Sequence, residues 1–388
     1  MNILLVNFVL RANHGGILQC YALQEVLKSM GHCVVKPDLK EKREFRFSFI
    51  LFLKLIKRIF ERLFLRKHNE IFAEYNNDRK NFLPRRNAIS FINKYLSIIR
   101  VNSLEELDGK DYDAVIVGSD QVWRKPYTDT LLTNKSTSDN AFLAFTEKWN
   151  CKRIAYAASI GVDYWEYNED ETRILRELIK RFNAVSVRED SAIKLIHDNL
   201  NPDMVVDHVL DPTFLIPKEK YIDIVRESDV VKSDGNLLVY ILDSNDEKTK
   251  IIEFVAEKYG YTPFRVNNPN FEKVDYPVNE RIQTSISQWL RGFIDADFVI
   301  ADSFHACVFS IIFEKPFCVL ANRDRGITRI DSLLRMFGLE DRLFSDFSME
   351  EVCMTPINWQ EVNSKKKILQ NYSIDFLNKA LESKSFNL

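Results

Sequence analysis

Short apolar runs alternate along the chain with segments in which apolar residues recur every three or four positions. In the first half, this pattern predicts strands at residues 3–7, 32–36, 114–117, 153–157 and 184–187, shorter extended runs at 204–206 and 209–210, and amphipathic helices at 16–30 and 168–181. In the second half, it predicts strands at 237–242, 263–266, 298–301 and 317–320, and helices at 247–259, 285–295 and 304–313. The alternation of strand and helix indicates βαβ units and parallel sheets.

Two α/β units account for this pattern over 388 residues. A polar stretch at 227–236 separates them, so we predict Rossmann-like domains at residues 1–230 and 231–388, facing each other across a cleft. Residues 45–97 are mostly helical and form a basic insertion in the first domain. Pro37 is expected to end the second strand. Ligands of such folds bind at the carboxyl ends of the strands, so the loops after the strands are where functional residues are expected.

Composition and charge exclude several classes of protein and site. Hydrophobic residues make up 46% and charged residues 28%, which is typical of a globular protein and excludes a disordered or polytopic membrane chain. The net charge of −2 provides no general attraction to nucleic acid, so no nucleic-acid partner is expected. The six cysteines form no C-x-x-C pair, and the histidines lack metal-ligand spacing, so neither a disulfide framework nor a metal site is expected. Because the first residues resemble a strand and not a signal peptide, we expect a cytoplasmic protein.

One basic segment departs from this even composition. Lys40 to Lys67 contain ten Lys or Arg and three Glu, a local charge of +7. From Phe49 to Leu65, large apolar residues recur at helical spacing, with basic residues on much of the opposite side. Such a helix can lie in a membrane interface, here at the inner face of the membrane. Alternatively, its apolar side packs on the protein core. The sequence leaves both interpretations open.

The first candidate loop, Asn13-His14-Gly15-Gly16, follows the first strand and opens a helix. Paired glycines allow backbone N–H groups to approach a phosphate or carboxylate at the helix N-terminus. The chain has neither the G-x-G-x-x-G nor the G-x-x-x-x-G-K-[ST] pattern, which disfavours those two kinds of nucleotide site. A tight turn alone would also explain the glycines.

The second loop follows the strand at 114–117 and contains Gly118, Ser119, Asp120, Gln121 and Trp123. These residues are suited to binding sugar hydroxyls or to acid–base chemistry, and Trp123 could stack on a sugar face. The alternative is a helix cap followed by a core tryptophan.

In two further loops, a residue suited to binding or catalysis follows the end of a strand. Arg188 follows the strand at 184–187 and offers paired donors to a carboxylate or phosphate, unless it forms an ordinary ion pair with Glu189 or Asp190. Asp302 or Ser303 can cap the helix after the strand at 298–301, which places His305 in its first turn. His305 is suited to proton transfer there, or is a structural histidine.

Five motifs in this order resemble the polysaccharide pyruvyl transferase family. They are Asn13-His-Gly-Gly-Ile-Leu-Gln-Cys-Tyr-Ala-Leu, Tyr112-Asp-Ala-Val-Ile-Val-Gly-Ser-Asp-Gln-Val-Trp, Ser186-Val-Arg-Glu-Asp, Leu210-Asp-Pro-Thr and Ala301-Asp-Ser-Phe-His-Ala. The resemblance runs from Asn2 to about Arg342. It implies a fold similar to the two-domain GT-B glycosyltransferases and transfer of a pyruvyl group from phosphoenolpyruvate to two sugar hydroxyls as a cyclic ketal, with release of phosphate.

The resemblance also implies roles for particular residues. Arg188 and His305 match the residues that hold and activate the donor, phosphoenolpyruvate, which is a co-substrate and leaves no need for another cofactor or a metal. Ser303 is expected to bind the donor with them, and Asp120 is expected to act on the acceptor hydroxyl. The residues expected to line the cleft or the acceptor site are Asn13, Gly15, Gly16, Gly118, Ser119, Gln121, Trp123 and Asp302.

The expected acceptor is a sugar of a surface polysaccharide, such as an exopolysaccharide or capsule, or its lipid-linked precursor. Two other functions fit the same fold. One is a GT-B glycosyltransferase that uses a nucleotide sugar. The other is a non-catalytic protein that binds sugars or assists polysaccharide assembly.

Overall fold

The structure is a computed structural model that describes residues 1–40, 45, 49–65, 70–128, 138–322, 326–344 and 355–383. Within these residues, parallel strands form two sheets. The strands of the first sheet are β1 (Asn2–Val6), β2 (Cys33–Leu39), β3 (Ile98–Val101), β4 (Ala114–Val117), β5 (Lys152–Ala158), β6 (Ala184–Val187) and β7 (Val206–His208). Those of the second are β8 (Leu237–Tyr240), β9 (Pro263–Phe264), β10 (Phe298–Ala301), β11 (Phe317–Leu320) and β12 (Leu343–Phe344).

Helices cover both sheets. In the first part of the chain they are α1 (His14–Ser29), α2 (Phe49–Phe64), α3 (Ala73–Phe82), α4 (Arg86–Tyr95), α5 (Lys125–Thr128), α6 (Ser138–Ala141), α7 (Glu169–Ile179), α8 (Ser191–Asn199) and α9 (Lys218–Arg226). They continue with α10 (Asp246–Tyr259), α11 (Ile286–Asp295), α12 (Phe304–Ile312), α13 (Ile327–Phe337) and α14 (Trp359–Glu382). Two parallel sheets with flanking helices, facing each other across a cleft, confirm the predicted fold class of two Rossmann-like halves.

Each sheet reverses its strand order at one point. The first has the order β3-β2-β1-β4-β5-β6-β7 and the second β12-β11-β10-β8-β9. The reversals therefore lie between β1 and β4 and between β8 and β10. Because a crevice forms beyond the strand ends where the order reverses, these two points are where a doubly wound sheet binds its ligands.

The strands of both sheets are apolar because they are covered on both faces. The described residues of β4, β8, β10 and β11 are all buried. One apolar cluster runs from the inner face of the first sheet, where Tyr21 of α1 belongs to it, into the second half, where Trp289 and Phe309 belong to it. A second cluster covers the other face of the first sheet, and a third covers the outer face of the second.

Four segments differ from the sequence-based expectations. Strand β2 continues through Pro37 to Leu39. Its pairing with β1 ends at Val35, so Pro37, which has no N–H, is not required to donate a hydrogen bond to β1. The edge strand near 204–210 lies at Val206–His208. The pattern did not predict β3 or β12, which are edge strands at the ends of their sheets.

The last helix returns to the first half of the chain. In α14, Ser373 Oγ accepts a hydrogen bond of 3.0 Å from Leu210 N, and the ring of Phe376 lies 6.2 Å from that of Tyr156 in β5. Residues 359–382, which the predicted division assigns to the second domain, thus pack against the first. The domain boundary at 230 remains a prediction.

His14 links the two halves at the start of α1. Its Nε2–H donates to Thr284 O at 2.9 Å, and its ring stacks on Trp289 with centroids 5.7 Å apart. Burial lowers the pKa of His14 to about 4, only partly opposed by the bond to Thr284. The imidazole is therefore neutral when it joins the halves at neutral pH.

This contact should make the protein sensitive to acid. Because the folded-state pKa lies below the ordinary 6.5, the unfolded chain binds more protons between pH 6.5 and 4, and stability falls as the pH is lowered through this range. Protonation of His14 accounts for a loss of about 3 kcal/mol in the free energy of unfolding. We expect His14→Phe, which keeps a ring against Trp289, to show a shallower fall in the free energy of unfolding, measured with urea at pH 7.5, 6, 5 and 4. Parallel curves for the two proteins would contradict this expectation.

Candidate functional site

A cleft of about 440 Å³ lies where the reversal points of the two sheets face each other. The first half contributes the loop after β1 and the loop after β4, and the second half contributes the ends of β8 and β10. The residues that line it include Arg11, Asn13, Gly15, Gly16, Asp120, Gln121, Tyr127, Tyr240, Asn267, Gln283, Ser303, Phe304, His305 and Arg329.

Two helix N-termini point into this cleft. Asn13 caps α1, its Oδ1 accepting a hydrogen bond of 3.1 Å from Gly16 N. Ser303 caps α12 in the same way, its Oγ accepting from Ala306 N at 3.2 Å. The first N–H groups of a helix have no carbonyl partner within the helix, and its dipole is positive at that end. The cleft is consequently suited to an anion.

The two helices touch at Gly15 and His305. A Cβ atom on Gly15 would lie 2.2 Å from Cγ of the His305 ring, so only glycine allows this approach. The paired glycines after β1 thus have a packing role, because Gly15 accommodates the histidine of the opposite half.

A buried arginine lies behind the cleft. Arg188 is 2% exposed; its Nη1–H donates to Asp211 Oδ2 at 2.9 Å and its Nη2–H donates to Asp120 Oδ1 at 3.1 Å. The guanidinium also lies 4.2 Å from the centroid of the Phe304 ring. Arg188, Asp120 and Asp211 follow β6, β4 and β7, so the network joins the ends of three strands.

The charges in this network are mutually stabilised. Burial would raise the pKa of Asp120, but the charges of Arg188, His305 and Arg329 outweigh it and lower the pKa to about 2. The pKa of Asp211 is lowered against the same effect of burial, by His305, by Arg188 and by hydrogen bonds from Thr213 N and Oγ1. Both carboxylates are therefore ionised at neutral pH.

His305 lies at the boundary between this network and the cleft. Its Nε2 is 3.8 Å from Asp211 Oδ2 and has no hydrogen-bond partner among the described residues. Burial lowers its pKa below 6.5, although the charges of Asp211 and Asp120 oppose the shift. A neutral imidazole with an unengaged nitrogen can accept a proton, and Asp211 would stabilise the imidazolium that results.

Arg329, on α13, is a cleft residue that sequence reasoning missed. Its Nη1 is 3.6 Å from Asp120 Oδ1, and its guanidinium lies 5.5 Å from the Phe304 centroid. Burial and the charge of Arg188 lower its pKa to about 10, so it is cationic at neutral pH. In the sequence it is an ordinary helix residue, since only the packing of α13 brings it to the cleft.

Two amides on the cleft present atoms without hydrogen-bond partners among the described residues. Gln121 Nε2 is a donor from the loop after β4, and Asn267 Oδ1 is an acceptor from the second half. Asn267 could not be identified from the sequence either, because it follows a two-residue strand with no recognisable motif. Both atoms are buried, and Gln121 Nε2 lies against Gly161, where a Cβ would be 2.1 Å away, so the two amides are incompletely satisfied although these atoms do not face the cleft.

A model of the polysaccharide pyruvyl transferase family matches residues 13–325 of this chain. The chain belongs to that family. The match begins at Asn13 and includes Asp120, Arg188, Asp211 and His305, whereas the cleft residues Arg11 and Arg329 lie outside the matched range.

Two solved structures are among those that match this chain over most of its length. UDP-GlcNAc 2-epimerase from Neisseria meningitidis is 12% identical, with 98% of this chain and 99% of that chain covered and a TM-score of 0.46. A glycosyltransferase from Rickettsia africae is 11% identical, with 98% and 95% covered and a TM-score of 0.47. Similarities at this level carry no conclusion about function. No curated protein matches the chain.

Four residues predicted to line the cleft of this family member lie elsewhere. Trp123 is buried in the core, stacked 4.8 Å from Phe142, with its Nε1–H donating to Ala141 O. This placement corrects the expectation that Trp123 stacks on a sugar. The remaining three are also away from the cleft surface and have structural contacts: Gly118, Ser119 and Asp302.

The structural contacts of these three residues are specific. Gly118 has φ +132°, and a Cβ there would lie 2.0 Å from Tyr156 O. Ser119 Oγ donates to Asp211 Oδ2 at 3.1 Å. Asp302 accepts hydrogen bonds from Leu242 N and from Lys248 Nζ, each at 2.7 Å. These contacts stabilise the loops on the side away from the cleft.

Arg188 is likewise not among the residues that line the cleft, and the donor-binding role expected for it remains a prediction. Among the described residues, no group of three His, Cys, Asp or Glu side chains is arranged to hold a metal ion.

Removing the Arg188 side chain should destabilise the protein strongly. Arg188→Ala would leave two buried carboxylates without their partner, which costs about 3–5 kcal/mol in the free energy of unfolding at pH 7.5. The loss should be smaller at pH 5, because the pKa values of Asp120 and Asp211 would rise and the carboxylates would take up protons. Urea denaturation at both pH values measures this.

A matched control is Arg335→Ala. Arg335 pairs with Asp190 at 3.0 Å, but both side chains are more than 40% exposed, so the expected cost is below about 1 kcal/mol. Equal effects of the two substitutions would contradict the role given to the buried network.

Proposed function

We propose that this protein transfers the pyruvyl group of phosphoenolpyruvate to two hydroxyls of a saccharide, forming a cyclic ketal and releasing phosphate. The proposed acceptor is a sugar of a surface polysaccharide, such as a capsule or exopolysaccharide, or its lipid-linked precursor. The observation that carries the proposal is the convergence of two helix N-termini, Arg329 and the neutral His305 on one cleft. Membership of the family supports it.

Phosphoenolpyruvate carries a phosphate and a carboxylate, so its site must provide several donors and positive charge. Arg329 supplies a guanidinium on the cleft surface, and the N-termini of α1 and α12 supply backbone N–H groups. Arg329 therefore takes the role of donor-binding arginine in this proposal. Arg188 becomes a positioning residue that holds Asp120 and Asp211.

Proton transfer is assigned to His305. As the oxygen of the first hydroxyl bonds to C2 of phosphoenolpyruvate, its proton passes to the imidazole of His305. The C2=C3 π bond breaks in the same addition, and its electrons take up a proton from the imidazolium at C3, which converts the methylene to a methyl group. Asp211 stabilises the imidazolium in between. The second hydroxyl then displaces phosphate at C2, and its proton leaves with the phosphate.

Asp120 is assigned to the acceptor. Its Oδ1 is engaged by Arg188 Nη2–H and by Gln121 N–H, whereas Oδ2 lies on the side of Gly16 at the cleft. With a pKa of about 2, the carboxylate accepts a hydrogen bond from a saccharide hydroxyl and does not serve as the general acid. The side chains of Gln121 and Asn267, which line the cleft, are assigned to further hydroxyls of the acceptor.

Purified protein with phosphoenolpyruvate and a panel of saccharides, including lipid-linked ones, should release inorganic phosphate only when an acceptor is present. The product should gain the mass of one pyruvate ketal. Phosphoenolpyruvate alone and each saccharide alone are the controls.

Other outcomes of this assay are equally informative. A thermal shift and sugar transfer with a nucleotide sugar, without any response to phosphoenolpyruvate, would favour a glycosyltransferase. Saccharide binding without phosphate release, unaffected by substitution of His305, would favour the non-catalytic alternative.

Replacing His305 should abolish most of the turnover. His305→Gln keeps a polar side chain but cannot exchange a proton, so kcat should fall at least about 100-fold while the protein remains folded. In the wild type, kcat should fall as the pH is lowered through the depressed pKa of His305, because the base becomes protonated. That acidic limb should be absent from the residual activity of the variant.

His197→Gln is the matched control, since His197 bonds to Met204 O away from the cleft. Full activity of His305→Gln would remove this residue from the mechanism.

A further inference from the structure

Helix α2 packs on the protein with a side that is only partly polar. Among its described side chains, Leu51 is buried, and Leu55, Arg58 and Glu61 are half-buried. At 100° per residue these four positions share one side of the helix. The apolar side predicted from the sequence faces the opposite way, so the interpretation that it packs on the core is wrong.

An ion pair holds the helix in this orientation. Arg58 Nη1–H and Nη2–H donate to the two carboxylate oxygens of Glu74 at 2.5 and 2.9 Å, and Nη1–H also donates to Ile71 O at 3.2 Å. Lys54 Nζ lies 3.9 Å from the same carboxylate. Because Glu74 belongs to α3, this contact ties this side of α2 to the next helix.

The exposed side is large and apolar. It contains Leu63 and Phe64, 70% and 69% exposed, and further exposed side chains on the same arc of the helix. These are Phe52, Leu53, Ile56, Ile59 and Phe60. A contiguous apolar surface of this kind on one element marks an interaction site.

Positive charge borders this apolar face. Lys57 lies beside Phe64 and Leu53 at one edge of the face, and Arg62 lies beyond the other edge, about 60° around the helix from Ile59; both are exposed. The segment from Lys40 to Lys67 carries +7 in a protein whose net charge is −2. An apolar strip with cationic edges complements a bilayer with anionic headgroups, where the strip enters the acyl boundary and the cations meet the phosphates.

A second copy of the chain fits this face less well. The segment from Lys40 to Lys67 carries +7, so two copies that face each other here would bring like charges together. We propose that α2 is an interfacial helix that docks this protein onto an anionic lipid surface.

The docking helix belongs to an arm that reaches the cleft. In α3, Arg79 Nη2–H donates to Asn279 Oδ1 at 2.8 Å, and in α4 Asn87 Nδ2–H donates to Gln283 O at 2.7 Å. Gln283 lines the cleft. Docking would hold the cleft near the membrane surface, where a lipid-linked saccharide would be in reach; that consequence, unlike the docking, rests on the proposed function. Among the described residues, no helix is both long and apolar enough to cross a bilayer.

Co-sedimentation with vesicles tests the proposal. The wild type should bind vesicles of phosphatidylcholine with 30% phosphatidylglycerol at least about 10-fold more tightly than phosphatidylcholine alone. The double variant Phe60→Ser/Leu63→Ser should lose at least about 10-fold of that affinity, because both side chains are exposed and leave the apolar face. Lys57→Glu/Arg62→Glu should lose the preference for anionic vesicles.

Controls separate docking from general stickiness and misfolding. Val274→Ser/Ile368→Ser removes two exposed apolar side chains outside α2 and should bind as the wild type does. In Leu63→Trp, tryptophan emission should shift to shorter wavelength with anionic vesicles only. All variants should keep the melting temperature of the wild type.

Two results would overturn the proposal. One is equal vesicle binding by the wild type and Phe60→Ser/Leu63→Ser, or no binding by either. The other is a dimer in sedimentation velocity without lipid that this double variant dissociates, since it would assign the face to a second copy. Neither result depends on phosphoenolpyruvate or on phosphate release, so failure of docking and failure of the proposed reaction are distinguishable.

Discussion

The guanidinium of Arg188, held between the carboxylates of Asp120 and Asp211, is the interaction on which the site depends. The three residues come from the ends of three parallel strands, and their charges are stable in the interior only because they are paired. This pairing fixes the loop after β4 and keeps both carboxylates ionised. His305 can then lie next to two negative charges and still be neutral, since burial dominates its pKa.

The second constraint is the close contact between the halves of the chain. Gly15 accommodates the ring of His305, while His14 bonds to Thr284 O and stacks on Trp289. These contacts bring two helix N-termini to one cleft, so the field that favours an anion and the group that can accept a proton occur together. Neither half contains this combination by itself.

The helical insertion shows a different use of amphipathicity. A helix usually buries its apolar side on the protein it belongs to, because that removes the most apolar area from water. In α2 the side that carries Arg58, paired with Glu74, faces inward together with Leu51 and Leu55, and the larger apolar side is exposed. The insertion therefore adds a surface to the fold, and its attachment beside Gln283 connects that surface to the wall of the cleft.

The local sequence pattern was sufficient to predict the central strands, most helices and the loops after β1, β4, β6 and β10. Buried parallel strands are continuous apolar runs, and helix caps depend on a few neighbouring residues, so both can be recognised in the sequence. The edge strands β3 and β12 were not predicted, because their apolar patterns are weaker. Sequence alone thus determined the fold class and the family, and it brought Asn13, Asp120, Ser303 and His305 into consideration. Only the tertiary structure placed Trp123 in the core, Arg188 behind the cleft, Arg329 on its surface and the apolar side of α2 in solvent. Each of these depends on which distant element packs against the residue, and the periodicity of a segment does not contain that information.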